Sequence, residues 1–193
     1  MTWLNSQHGY GRLSKICHWL IVGLFAFQFA AASIMLRLEP DETMMGLTQA
    51  GTYNWHKSIG LVALIVAAVR LWSRRQGEMP PWAPVLSETE RRFVHRAEQI
   101  LYTAMFLMPV SGFVYVMTGG YGVQLFGSVH LPNPLPASEP LATAAKWVHI
   151  VCSWALVVTL AGHLGLVLRH HVVLKDGLLC RMLPKRRKPE TPT

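Results

Sequence analysis

The stretch WVHIVCSWALVVTLAGHLGLVL, Trp147 to Leu168, decides the fold: it carries no Asp, Glu, Lys or Arg and is long enough to cross a bilayer as one helix. Two histidines, His149 and His163, stand fourteen residues apart within it. An ionisable side chain in such a segment is a functional candidate by default. At ~1.5 Å per residue the two imidazoles lie roughly 21 Å apart along the axis, and the accumulated rotation nearly closes on whole turns, so both share one face. That spacing suits two sites stacked across a hydrocarbon core about 30 Å thick.

Three more apolar blocks precede this one, at Ile16–Leu36, Tyr53–Trp72 and Phe93–Met117. Each is about long enough to span once. Hydrophobic residues make up 51% of the chain and charged ones 15%, clustered between the blocks, which favours a membrane protein over a soluble bundle. Four spans in 193 residues leave only short connections. The expectation is therefore a single all-α domain over residues 1–193, an integral membrane four-helix bundle.

The cations orient it. Arg12 and Lys15 precede the first span, and Arg70, Arg74, Arg75, Arg91, Arg92 and Arg96 surround the second connection. Arg169, Lys175, Arg181, Lys185, Arg186, Arg187 and Lys188 follow the fourth span, leaving only Arg37, Lys57 and Lys146 near the first and third connections. The positive-inside rule then places both termini in the cytoplasm, with residues 169–193 as a basic cytoplasmic tail. A net charge of +8 raises the question of nucleic acid. These cations flank spans, with no stacking or groove-reading motif, so topology and anionic lipid account for them, and Lys185–Lys188 is expected to hold the tail to the inner leaflet. Arg12 and Lys15 before an apolar run ending in Ala30-Ala31-Ala32 imitate a secretory signal. The run exceeds a signal's apolar core and carries His18, so it reads as a retained helix. Cys17, Cys152 and Cys180 imply no disulfide framework, and the lack of Cys-x-x-Cys-His implies that any haem is not thioether-linked.

The first connection, 37–52, carries Glu39, Pro40, Asp41 and Glu42 as solvated residues. In the second, Ser87 followed by Glu90 predicts a capping box opening the third helix. Pro109, with Gly112 just after it, predicts a kink or local loss of helical bonding. The third connection, 118–145, rich in Gly and Pro, reads as an ordered outer cap with a short surface helix.

With the spans oriented, the histidines sort by depth. His56 and His149 fall near the outer side, His18 and His163 near the inner. Two imidazoles converging at one level can occupy both axial positions of a haem iron, which favours electron transfer over oxygen binding. A lone membrane histidine equally serves a hydrogen bond to a neighbouring helix, but four at two matched depths favour ligation. Gly60, Gly162 and Gly165 would let a macrocycle approach the backbone, or serve plain helix packing. A metal-ion pathway lined by the same histidines is the alternative, and it would call for carboxylates deep in the spans, where none lies.

The residues also carry a family resemblance. Lys15-Ile16-Cys17-His18-Trp19, Trp55-His56-Lys57-Ser58-Ile59-Gly60 leading to Arg70, the Trp147–His163 helix, and His170-His171 followed by Lys175-Asp176-Gly177-Leu178-Leu179, Arg181-Met182 and Pro184 resemble the bacterial cytochrome b561 family over nearly the whole chain. The resemblance implies a bacterial inner-membrane dihaem cytochrome with two non-covalent b haems, their irons held by His18, His56, His149 and His163. Some members are similar to superoxide:ubiquinone oxidoreductases, and the first histidine of a pair such as His170-His171 is associated with quinone there. Headgroup bonding is the alternative for that pair. The resemblance also admits a cytochrome b subunit serving a hydrogenase or other dehydrogenase, fed by a redox protein in place of superoxide. Glu98 stands one turn after His95 where some relatives carry a second histidine. His95 reads as an inner-surface residue, with haem propionate as the alternative partner; His8 and His130 are expected to ligate nothing. Lys57 and Lys146 flank the outer pair as membrane anchors or as groups for propionates and superoxide.

Overall fold

The computed structural model describes residues 2–183. Four helices account for most of them: α1 (Arg12–Met35), α2 (Gln49–Gln76), α3 (Glu88–Thr118) and α4 (Glu139–Leu168). All four are long and apolar enough to cross a membrane. Most extend beyond the apolar blocks, because polar first turns are stabilised by caps. Thr48 Oγ1 accepts from the Gly51 N–H at the start of α2, and Ser87 and Glu90 form the expected reciprocal box at the start of α3. Pro140, in the first turn of α4, loses no helical bond there.

Pro109 does not end α3, which runs through it. Proline is tolerated inside a span where neighbouring groups re-satisfy the backbone. The acceptor that loses its helical donor to Pro109 is the Met105 carbonyl, four residues earlier; the adjacent Met108 carbonyl accepts from Ser111 Oγ at 3.0 Å and from the His149 ring at 2.8 Å.

Helix α1 packs on α2 and α3 on α4, and the two hairpins meet through α2 and α3. Their buried contacts are dominated by small residues, among them Ser58, Ala63, Ala67, Ser73, Ala97, Ala104 and Ser111, as expected where lipid removes any hydrophobic drive and close packing must hold helices together. Ile21, Ala67 and Met105 form a small cluster joining α1, α2 and α3, with Tyr102 and Phe106 against it. Ile65, Val151, Trp154 and Val158 stay exposed on the outer surface of the bundle, where acyl chains would cover them. Among the described residues α4 does not pack its backbone closely on α1 or α2. Side chains span that gap.

The connections depart from the expectation in one respect. Residues 118–138 contain no surface helix; the chain forms a two-residue antiparallel pair instead, β3 (Gln124–Leu125) with β4 (Val129–His130). Gly120, Gly122 and Gly127 take positive φ there, and Pro132, Pro134 and Pro136 deny the donors a helix needs. A matching small pair, β1 (Thr43–Met44) with β2 (Leu47–Thr48), occupies the first connection.

At the opposite end α4 continues into a π turn, Arg169–Leu174, and a 3-10 turn, Leu178–Arg181. The first and last described segments meet at this end. Lys15 Nζ donates to the Leu183 carbonyl at 2.9 Å, Trp19 Nε1 to that of Met182 at 3.0 Å, and Arg181 to that of Pro81 at 2.6 Å. The tail cations Lys185–Lys188 and Pro184 lie outside the described residues.

Candidate functional site

The helices bring the four expected histidines together in two pairs. His56 of α2 faces His149 of α4 with ring centroids 6.4 Å apart, and His18 of α1 faces His163 of α4 at 6.5 Å. Each pair bridges the gap left where α4 stands off from its neighbours. Direct hydrogen bonding between rings would need a closer approach. A metal–nitrogen bond of about 2.0 Å on each side, with about 1.1 Å from nitrogen to ring centre, would put two imidazoles that held one metal about 6.2 Å apart. Both pairs fit an iron between their rings.

His149 is the best-fixed ligand candidate. Its Nδ1–H donates to the Met108 carbonyl at 2.8 Å, which leaves the Nε2 lone pair for a metal. That carbonyl belongs to the Met108-Pro109 bond, a tertiary amide and hence a strong acceptor. Gly112, one turn after Met108, makes room: a Cβ there would lie 3.0 Å from His149 Cε1 and Nδ1. The glycine that makes room for His149 is thus Gly112 on α3, not one of those the sequence singled out on α2 and α4.

The other expected glycines serve different purposes. At Gly60 a Cβ would meet the Gln28 amide at 3.0 Å, and at Gly162 the Phe93 ring at 2.9 Å; only Gly165 faces open space. Gly60 and Gly162 therefore admit protein side chains, not a macrocycle, because helix rotation directs them at α1 and α3.

His56 contrasts with its partner. Its Nδ1 is buried without a hydrogen-bond partner among the described residues, while Gln28 Nε2 donates to its backbone carbonyl at 3.1 Å. Around the His18–His163 pair the nearest fixed charge is Arg70, whose guanidinium acts electrostatically on both rings and donates to Tyr102 Oη at 3.2 Å and the Ser14 carbonyl at 3.4 Å. The Arg70 fork is thus placed for an anionic group, such as a haem propionate, near that pair.

His170 is fully buried in the π turn. Its Nδ1 bonds Asp176 Oδ2 at 2.5 Å and its Nε2 bonds Glu90 Oε1 at 3.2 Å, while Arg169 pairs with the same Glu90 oxygen. Burial is the largest influence on the Asp176 carboxyl and pushes it up, but the His170 bond and the Leu178 N–H together hold it below the usual carboxylate range. The cluster ties the end of α4 to the start of α3.

Elsewhere, Lys57 Nζ donates to the Gly122 carbonyl at 3.0 Å and so anchors the 119–138 connection, while Lys146 is exposed. His8, His95, His130 and His171 are exposed, His95 touching Gln99 at 3.3 Å. Glu98 forms a bidentate pair with Arg74 beneath Tyr102. Sequence reasoning missed Gln28, Met108, Gly112 and Glu90 as neighbours of the histidines. Only Gln28, an amide within the run LFAFQFAAA, carried a signal that could have drawn notice.

Comparison with known proteins gives the family. Residues 9–185 match the family described as prokaryotic cytochrome b561. The chain is 29% identical to cytochrome b561 homolog 2 of Escherichia coli, with 96% of each chain covered. It is 27% identical to the probable superoxide oxidase CybB of Yersinia pestis (92% of this chain, 97% of the relative) and 26% identical to cytochrome b562 of Cereibacter sphaeroides (95% and 100%).

Proposed function

The chain belongs to the prokaryotic cytochrome b561 family of multi-pass membrane b-type cytochromes, and we propose from that premise that it carries electrons between the two sides of the bacterial inner membrane on two haems. The observation that carries this reading is the pair of ring separations, 6.4 and 6.5 Å, at two depths of one bundle. When bound, the haems supply reversible one-electron chemistry. The chain's own residues do the rest. His56 and His149 hold the iron of one site, His18 and His163 that of the other, and α4 sets their separation across the bilayer. The end bearing Arg12, Arg70, Arg74 and Arg181 faces the cytoplasm by charge asymmetry, so the His56–His149 site lies outside.

Superoxide is the donor we favour, supported by the likeness to the Yersinia pestis relative named as a probable superoxide oxidase. Lys57 and Lys146 make the outer end attractive to a small anion. Two superoxide ions each surrender one electron and leave as dioxygen, and one quinone takes both electrons with two protons to become quinol. At the inner end His170 offers the quinone contact. Its 3.2 Å bond to Glu90 is the longer of the two, so a quinone carbonyl would replace Glu90 at Nε2 while Asp176 keeps Nδ1 and the ring orientation.

An absorption spectrum of dithionite-reduced protein should show b-type haem bands with two haems per chain; their absence would sink this reading. Stopped-flow mixing with superoxide should reduce the haem faster than superoxide dismutes, and added soluble quinone should reoxidise it. His170→Ala should slow only the quinone-dependent step, with haem content unchanged.

A further inference from the structure

We infer that Gln28 positions His56, its side-chain oxygen accepting the Nδ1–H of that ring and so fixing Nε2 as the nitrogen presented to iron. The inference rests on the haem ligation proposed above. Among the described residues two buried side-chain polar atoms lack a hydrogen-bond partner, Gln28 Oε1 and His56 Nδ1. They belong to two residues that already touch, through the Gln28 Nε2 bond to the His56 carbonyl at 3.1 Å. One atom is an obligate acceptor and the other a donor in the tautomer that ligation through Nε2 requires. Leaving both unpaired in the apolar interior of a bundle is costly, and pairing them with each other would remove both penalties at once. A single amide then bridges the backbone carbonyl and the ring of one histidine.

The surrounding sequence is built for this approach. Gly60, one turn beyond His56, has no Cβ; an alanine there would place one 3.0 Å from Gln28 Nε2. Gln28 stands in the apolar run of α1, between Phe27 and Phe29, where an amide without a partner would be a liability. Across the site His149 already has such support from the Met108 carbonyl. Gln28 supplies the missing counterpart, so both axial ligands are oriented by an oxygen acceptor, one from backbone and one from a side chain.

An acceptor on Nδ1–H makes the imidazole a stronger donor to iron and favours the oxidised state. Redox titration of the purified holoprotein tests this, with the outer component identified as the one lost in His149→Ala. Gln28→Leu should raise the midpoint potential of that component and Gln28→Glu should lower it, with the inner component unmoved. Shifts of opposite sign are the signature that a merely space-filling residue does not produce. Unchanged potentials in both variants, or shifts in the same direction, would overturn the inference. If Gln28→Leu loses the outer haem, the near-isosteric and uncharged Gln28→Met decides: a raised potential supports the role and an unmoved one rejects it. Wild-type protein without b-type bands would overturn the haem reading itself, an outcome distinct from a haem-loaded protein indifferent to Gln28.

Discussion

The two histidine pairs have nearly the same ring separation, 6.4 Å for His56–His149 and 6.5 Å for His18–His163, in unlike surroundings. The first is bordered by neutral amide groups, the Met108 carbonyl and the Gln28 side chain, with Gly112 giving room. The second lies in the field of the Arg70 guanidinium, which acts on both of its rings, whereas Lys57 acts on His56 alone and as the weakest influence there. Separation is thus a property of helix phase and spacing, common to both sites, whereas electronic character comes from whatever the neighbouring helices present. A cation near iron favours the reduced state, so the His18–His163 site should have the higher potential of the two.

The sharpest way to break this comparison is to remove one ligand at a time. His149→Ala and His163→Ala should each lose about half of the bound haem by pyridine haemochrome assay, the first abolishing the component sensitive to Gln28 and the second the component sensitive to Arg70. Full haem retention in both would reject the pairing. Gly112→Ala comes next: the added Cβ meets the His149 ring at 3.0 Å. Overpacking of that kind costs about 1–3 kcal/mol. The expected result is weakened retention of the outer haem and a lower melting temperature, with the inner haem spectrum intact. Arg70→Gln should lower the potential of the inner component alone. At an effective dielectric of about 20, a unit charge about 8–16 Å away contributes about 1–2 kcal/mol, on the order of 40–90 mV for a one-electron couple. An equal fall at both sites would erase the distinction drawn here.

His170 extends the contrast to a histidine whose two nitrogens are both taken by carboxylates. It holds chain to chain, where His149 holds one nitrogen free. Asp176 is held below the usual carboxylate range, so its share of stability is present above the ordinary unfolded value and is lost as pH falls through the lowered folded value. The melting temperature in detergent should therefore decline below about pH 4, the unperturbed carboxylate range. Asp176→Asn should lower it at neutral pH and flatten that decline. A variant with the wild-type pH profile would remove Asp176 from the account. This is the smallest of the expected effects, since the residue is partly solvated.

Much of this was legible along the chain. Apolar runs of spanning length located the four helices, and Ser87 with Glu90 announced the start of α3. The phase of His149 and His163 on α4 placed them on one face, and their depth relative to His56 and His18 suggested the pairs that the helices bring together. The outer connection was misread as a surface helix because its composition favours turns without specifying which; the glycines at positive φ resolve it into a hairpin. For Gly60 and Gly162 the sequence left macrocycle approach and helix packing both open, because small residues in spans signal a close approach without saying of what; the structure sets protein side chains against them.

By itself, then, the sequence determined the number of helices, where charge collects, and which histidines could share a level, because hydropathy, period and charge asymmetry are properties of local stretches. Only the tertiary structure decided that His149 engages Nδ1 and that Gln28 meets the His56 backbone. Met108 lies forty-one residues from His149 and Gln28 twenty-eight from His56, so those meetings depend on how far each helix is rotated and raised against its neighbour. A hydrogen bond is sensitive to fractions of an ångström and to direction, and no pattern along one chain encodes that.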